Sequence, residues 1–272
     1  MRELARSIVT LGVTVGLCLA AAATPAAAVF HKPRVPADRA ATTTRAGWSS
    51  SNWSGYAITG SAGHYASVTG TWVVQAVSPT KKATYSSQWV GIDGFNDSSL
   101  IQTGTESDYY SGSAHYSAWW EILPAAETVI PSIAVTPGDL MSASIQQQAG
   151  TSSWKITLTD ETTGATFITT QTYTGPQTSA EWIEEAPTVG GRIAPLAHYY
   201  GASGGQGSPA AFDSGAPSPI NSVNGASPAL TGSESGVMVQ QRAQVSTPSA
   251  PDGDADGFNM EYGSTAPPAP GT

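Results

Sequence analysis

Cysteine is all but missing from this chain. The one example among 272 residues, Cys18, lies in an N-terminal apolar run. Beyond that run no disulfide, thiol nucleophile or thiolate-bound metal is possible. Stability must therefore come from burial, and the remaining length is enough for one sizeable core. Histidine is scarce as well: His31, His64, His115 and His198 are far apart and show no metal-ligand spacing, so neither metal nor other cofactor is expected. Basic residues are few. From Ala46 onward, 18 Asp and Glu stand against 5 Lys and Arg, which leaves 13 net negative charges. Nucleic acid, which needs clustered cations, is excluded as a partner. A chain with so few cations has little self-repulsion and few ion pairs to lose when its carboxylates protonate, a composition suited to acid. No apolar run reaches the roughly 20 residues of a membrane span.

The longest run, from about Ile8 to Ala23, follows Arg2 and Arg6 and precedes TPAAA. That is a secretory signal peptide over residues 1–28, and it predicts a secreted, extracellular protein with no membrane attachment after cleavage. Residues 29–47 carry Lys32, Arg34, Arg39 and Arg45 against Asp38 alone and read as a basic leader or pro-segment. After it come short runs rich in Val, Ile, Thr and aromatics, among them YASVTGTWVV (65–74), ATYSSQWVGID (83–93), AHYSAWWEIL (114–123) and SWKITLTD (153–160). Gly, Pro, Asn and Asp separate them. DETTG followed by ATFITTQTY predicts a hairpin, and TPGD a tight turn. No helical period is sustained. The chain is expected to be all-β, a single-domain antiparallel β-sandwich over 48–262 with a flexible tail at 263–272.

Charge is sparse, yet SAEWIEE (179–185) holds three carboxylates. Period two puts Glu181, Ile183 and Glu185 on one face and Trp182 with Glu184 on the other. Glu184 is expected to be a solvated carboxylate where the strand ends or bends. In HYSAWWEIL the same alternation groups His115, Ser117, Trp119 and Glu121 opposite Tyr116, Ala118, Trp120 and Ile122. GASGG (201–205) has the letters of a nucleophile elbow but no helix to follow it. PDGDADG (251–257) opens like a calcium loop and lacks the twelfth-position Glu, where Gly263 stands, so a plain acidic hairpin loop is expected.

SNWSGY (51–56), QWVGIDG (88–94), LIQTGTE (100–106), YSAWWE (116–121) and SAEWIEE (179–185) together resemble the glutamic peptidases, the eqolisins, in order and separation across about residues 48–262. The resemblance implies a concanavalin A-like sandwich, polypeptide substrates, a monomer, and a catalytic pair made of Glu181 and Gln102. It further implies that Trp53, Asp93, Trp119 and Glu121 line or support the cleft, with Glu106 where the family often has Asp. Residue chemistry points the same way. A neutral Gln beside a Glu spares it a second negative charge and supplies amide N–H donors for an oxyanion. Two other readings use the same residues: a sandwich glycoside hydrolase with Glu121 and Glu181 as its carboxylate pair, and a non-catalytic carbohydrate-binding module with surface tryptophans. Only the peptidase gives Gln102 an essential role.

Overall fold

The computed structural model describes residues 47–202, 208–212 and 221–271. The expected signal peptide, the leader up to residue 46 and residues 203–205 of GASGG lie outside the described residues. Every regular element among the described residues is a strand. Eleven form one sheet. Its middle runs in the order Ala243–Pro248, Glu234–Gln240, Trp53–Thr59, Ser179–Glu185, Ser87–Ile92, Ile101–Tyr110, Ser113–Ile122. Five more make a second sheet, in the order Thr166–Thr172, Ser153–Asp160, Leu140–Gln147, Ser67–Val73, Ser222–Val223. The named strands pair antiparallel, except where Trp48–Ser50 lies parallel to Glu234–Gln240.

Alternation explains how the two layers meet. In Ser153–Asp160, Trp154, Ile156 and Leu158 are buried while Lys155 is exposed. From the larger sheet, Val90, Ile92, Ile101, Ala118 and Trp182 pack into the same core as Trp72, Ile145 and Trp154. Two indoles also tie the sheets by hydrogen bonds: Trp182 Nε1 donates to the Thr69 carbonyl at 2.7 Å, and Trp72 Nε1 to Thr105 Oγ1 at 2.9 Å. An indole so placed fills the interlayer space and satisfies its one polar atom. Truncating such a residue to Ala costs about 3–5 kcal/mol. The DETTG hairpin and the TPGD turn form as expected, the latter closed by the Thr136 N–H on Asp139 Oδ2 at 2.7 Å.

Glu184 departs from its expected role. The Ser179–Glu185 strand does not end or bend there, because it is paired on both sides as far as Glu185. Alternation therefore carries Glu184 into the space between the sheets, where it is fully buried rather than solvated. Gln75 Nε2 donates to Glu184 Oε1 at 3.0 Å and to Ser86 Oγ at 2.9 Å, while Glu184 Oε2, Gln75 Oε1 and Gln88 Nε2 have no partner. Burial holds this carboxyl well above the ordinary 4.5; the Gln75 bond opposes the shift and the neighbouring Glu185 charge adds to it.

A carboxyl held higher in the folded chain than in the unfolded one contributes stability that is complete below its unfolded value, about 4.3. That contribution is lost as pH rises through the folded value. Asp93, Glu181 and Glu261 are shifted the same way, in each case chiefly by burial. Thermal unfolding followed from about pH 4 to pH 7 is therefore expected to show a falling midpoint. Glu184→Gln keeps an acceptor for Gln75 and cannot ionise, so its midpoint should fall less steeply. Parallel slopes for the two proteins would remove Glu184 from this account.

Candidate functional site

The larger sheet has a second face, turned away from the five-stranded layer, and the predicted residues other than Asp93 gather on it. Register sets their positions. Glu181 pairs with Gly91, Gly91 with Gln102, and Gln102 with Glu121, so one row crosses four strands. Directly paired residues present their side chains to the same face. With strands about 4.8 Å apart, the Glu181 and Gln102 backbones lie about 10 Å apart. The strand between them offers only a glycine. Trp89 and Leu100 cover that glycine closely: a Cβ at the position would meet Trp89 Cζ3 at 2.8 Å and Leu100 Cδ1 at 3.1 Å.

The next row on this face holds Ile183, Trp89, Gly104 and Trp119, and the row beyond it Trp53, Glu185, Ser87, Glu106 and Ser117. Trp48, Trp53, Ala57, Trp89, Phe95, Leu100, Trp119 and Ile183 form a hydrophobic cluster separate from the main core. Trp53 meets Trp89 edge to face, with centroids 4.8 Å apart and planes at 76°. Trp89 Nε1 donates to Glu185 Oε2 at 2.8 Å, so Glu185 supports the floor from its expected face. Glu106, nearly fully buried, stands two rows from Gln102 and outside the Glu181 row.

Gln102 is oriented by its other neighbour. Its Nε2 donates to Glu121 Oε2 at 2.6 Å, which turns the amide nitrogen toward Glu121, and its Oε1 is buried without a partner. Both oxygens of Glu181 are buried and have no hydrogen-bond partner. Burial pushes the Glu181 carboxyl well above the ordinary 4.5, moderated by the nearby Ser179 hydroxyl and reinforced by Asp93 and Asp97. The Ser179 hydroxyl, like the two carboxyl oxygens, falls outside hydrogen-bonding geometry. A neutral partner spares Glu181 a like charge directly beside it, yet desolvation, the largest cause, still raises it.

Asp93 does not join the row. It follows the Ser87–Ile92 strand at φ 71°, a left-handed conformation that Asp tolerates better than most residues. Its carboxylate accepts from Tyr173 OH at 2.6 Å, the Gln177 N–H at 2.9 Å and the Thr178 N–H at 2.7 Å. Asp93 thus pins the loop that delivers the chain into the Glu181 strand. Sequence reasoning assigned no role to Gly91 or Tyr173. The Gly of QWVGIDG was visible, but only cross-strand register shows that it lies between Glu181 and Gln102.

Chemically, this row holds one proton-exchanging group and one oriented amide on either side of Gly91. The carboxyl can take up or release a proton, and the amide N–H can stabilise developing negative charge. Gly91→Ala should destabilise the protein by about 1–3 kcal/mol through overpacking, read as a lower urea midpoint at unchanged slope. An unchanged midpoint would show that Trp89 and Leu100 yield freely and that the row does not depend on glycine.

Comparison with known proteins gives this arrangement a context. The model of the Peptidase A4 family matches residues 51–203, which include all seven predicted site residues. Aspergillopepsin-2 of Aspergillus niger is 30% identical over 162 residues, covering 50% of this chain and 56% of that protein. The chain thus spans about half the length of the curated relative it matches. A crystal structure of scytalido-glutamic peptidase with a transition state analog inhibitor aligns over 78% of this chain and 98% of its own, at 24% identity and a TM-score of 0.64. SCP-B, described as a member of the eqolisin family in a complex with the tripeptide Ala-Ile-His, aligns over the same shares at 24% identity and a TM-score of 0.59. These two likenesses support the sandwich fold.

Proposed function

This chain belongs to the peptidase A4 family, and from that premise we propose that it is a secreted endopeptidase of mildly acidic media, cutting polypeptides with Glu181 and Gln102. The observation that carries the proposal is the row that sets these two residues on one face, two strands apart, with Gly91 between them. Ionised Glu181 takes a proton from water as the water oxygen attacks the scissile carbonyl carbon. The carbonyl electron pair moves to its oxygen, where an amide N–H of Gln102 not engaged by Glu121 donates to it. Glu181 then returns the proton to the departing nitrogen as the C–N bond breaks. Water's OH ends on the acyl half and its H on the amine. Loss of one oxyanion donor typically costs a hundred- to a thousandfold in rate, or about 3–4 kcal/mol.

The raised Glu181 carboxyl has two effects in this cycle. It holds the proton it has taken, which suits the second step. It also moves the acid limb of the pH–rate profile above the ordinary 4.5, because the base form is scarce below that limb. Two rival readings lose ground. In glycoside hydrolysis two carboxyls flank the bond with substrate or water between them; here Gln102 stands between Glu121 and Glu181 in the row, and its amide is bonded to Glu121 at 2.6 Å. A carbohydrate platform needs exposed rings, and Trp53, Trp89 and Trp119 are fully buried.

Gln102→Ala and Glu181→Gln should each lower kcat/KM on a denatured protein substrate at least a hundredfold, with unchanged circular dichroism. If either kept a tenth of wild-type activity, the pair would be misassigned. The wild-type acid limb should fall above 4.5; a limb at or below that value would show that Glu181 is not the titrating base. The basic leader at 29–47 belongs to the same proposal as an inhibitory pro-segment, held at neutral pH by attraction that fades as carboxylates protonate. Protein starting at Val29 should be inactive at pH 7 and be trimmed near Arg45 on transfer to about pH 4. Active enzyme that still begins at Val29 would reduce the leader to a spacer.

A further inference from the structure

The acidic hairpin loop between the strands Ala243–Pro248 and Asn259–Tyr262 is remote in sequence from every residue of the Glu181 row, and the proposed reaction does not use it. Asp252, Asp254 and Asp256 each bring a carboxylate oxygen within 4.8 Å of the other two. Two oxygens on opposite sides of a calcium ion, each bound at about 2.4 Å, would be about 4.8 Å apart, so one cation can touch all three. Residues 243–272 contain no Lys, Arg or His, so the local chain supplies no countercharge.

Asp252 supplies the independent sign of a ligand. It is only 8% exposed, and its two oxygens are treated differently. Oδ1 accepts the N–H groups of Asp256 at 3.0 Å and Gly257 at 3.2 Å, whereas Oδ2 is sealed from solvent without any hydrogen-bond partner. A buried carboxylate oxygen left without a partner is costly. With Oδ1 committed to the loop backbone, Oδ2 is the oxygen available to the cluster. The spacing Asp252, Asp254, Asp256, Gly257 corresponds to positions one, three, five and six of a calcium loop.

We propose that Asp252, Asp254 and Asp256 form a structural calcium site, with Asp252 Oδ2 as its buried ligand. This departs from the sequence expectation of a plain acidic loop. An all-oxygen donor set on an irregular loop suits calcium better than zinc, which takes nitrogen and sulfur, or magnesium, which demands near-ideal octahedral geometry. The Phe258 carbonyl, at position seven, already accepts from the Phe212 N–H at 3.0 Å, so waters would complete the shell. Without a bidentate twelfth ligand the site belongs with weak extracellular ones, with Kd about 0.1–1 mM. The loop is anchored to the core: Asn221 Nδ2 donates to the Asp256 carbonyl, and Phe258 stacks on Phe212 at 4.9 Å. A cation here would fasten the hairpin tip to the sandwich.

The full chain, stripped of metal and held at about pH 6.5, is titrated with calcium chloride. The unfolding temperature should rise saturably, by about 3 °C or more at 10 mM, and equal magnesium should give less. Asp254 is exposed, so Asp254→Asn should fold normally, keep its peptidase activity and weaken calcium binding by about tenfold. Asp252→Asn should abolish binding; should it fail to fold because it caps the loop, Asp254→Asn decides alone. No saturable response to 10 mM calcium, or an unaltered response in Asp254→Asn, would overturn the proposal.

Discussion

The structure depends on one constraint: the Ser179–Glu185 strand is hydrogen-bonded along both edges. A strand paired on each side cannot rotate or slip without losing two ladders and exchanging every side chain between faces. All seven of its residues are buried. From this single placement follow the Glu181 row, the Glu185 contact to Trp89, the Trp182 bond across to the second sheet, and the burial of Glu184. Neighbouring strands then determine what each carboxylate meets. Gly91 on one side lets Trp89 and Leu100 pack close beside the Glu181 strand, and beyond it Gln102 is turned by Glu121. The charged residues of this strand are thus divided by face, two on the indole-rich floor and one between the layers.

Much of this was legible in the sequence because strands encode faces at period two. The separation of Trp119 and Glu121 from Ala118 and Ile122 is observed, as is the grouping of Glu181 with Glu185. Glu184 was misread for a physical reason. A carboxylate next to the core face is expensive to bury, so the sequence favours a strand that stops. Only the partner strands show that the strand continues and that Gln75, distant in the chain, meets the carboxyl. Register is likewise a property of two strands at once, which is why Gly91 was invisible as a spacer. The Asp93 anchor needed the 173–178 loop, brought near by folding alone.

Burial also changes how the Glu and Gln row should be understood. A neutral amide was expected to leave the carboxyl close to its ordinary behaviour. Desolvation outweighs that saving, since a wholly buried carboxyl without hydrogen bonds resists ionisation whatever stands beside it. The same physics acts on Glu184 on the other face of the strand. Two carboxyls three residues apart, one in the Glu181 row and one in the core, are therefore shifted in the same direction by the same cause. These buried carboxyls contribute stability that is fullest in acid.

The edge-to-face contact between Trp53 and Trp89 has an optical consequence. Two indoles 4.8 Å apart with planes at 76° have strongly coupled transitions, and the sign and size of the resulting circular dichroism couplet depend on their mutual angle. Trp89 is also hydrogen-bonded to Glu185 and lies beside the position where a substituent at residue 91 would press. The floor beneath the Glu181 row thus carries its own chromophore pair. Small rearrangements there, from a filled gap, an ionised neighbour or an occupied cleft, would be written into the ultraviolet spectrum of the unlabelled protein.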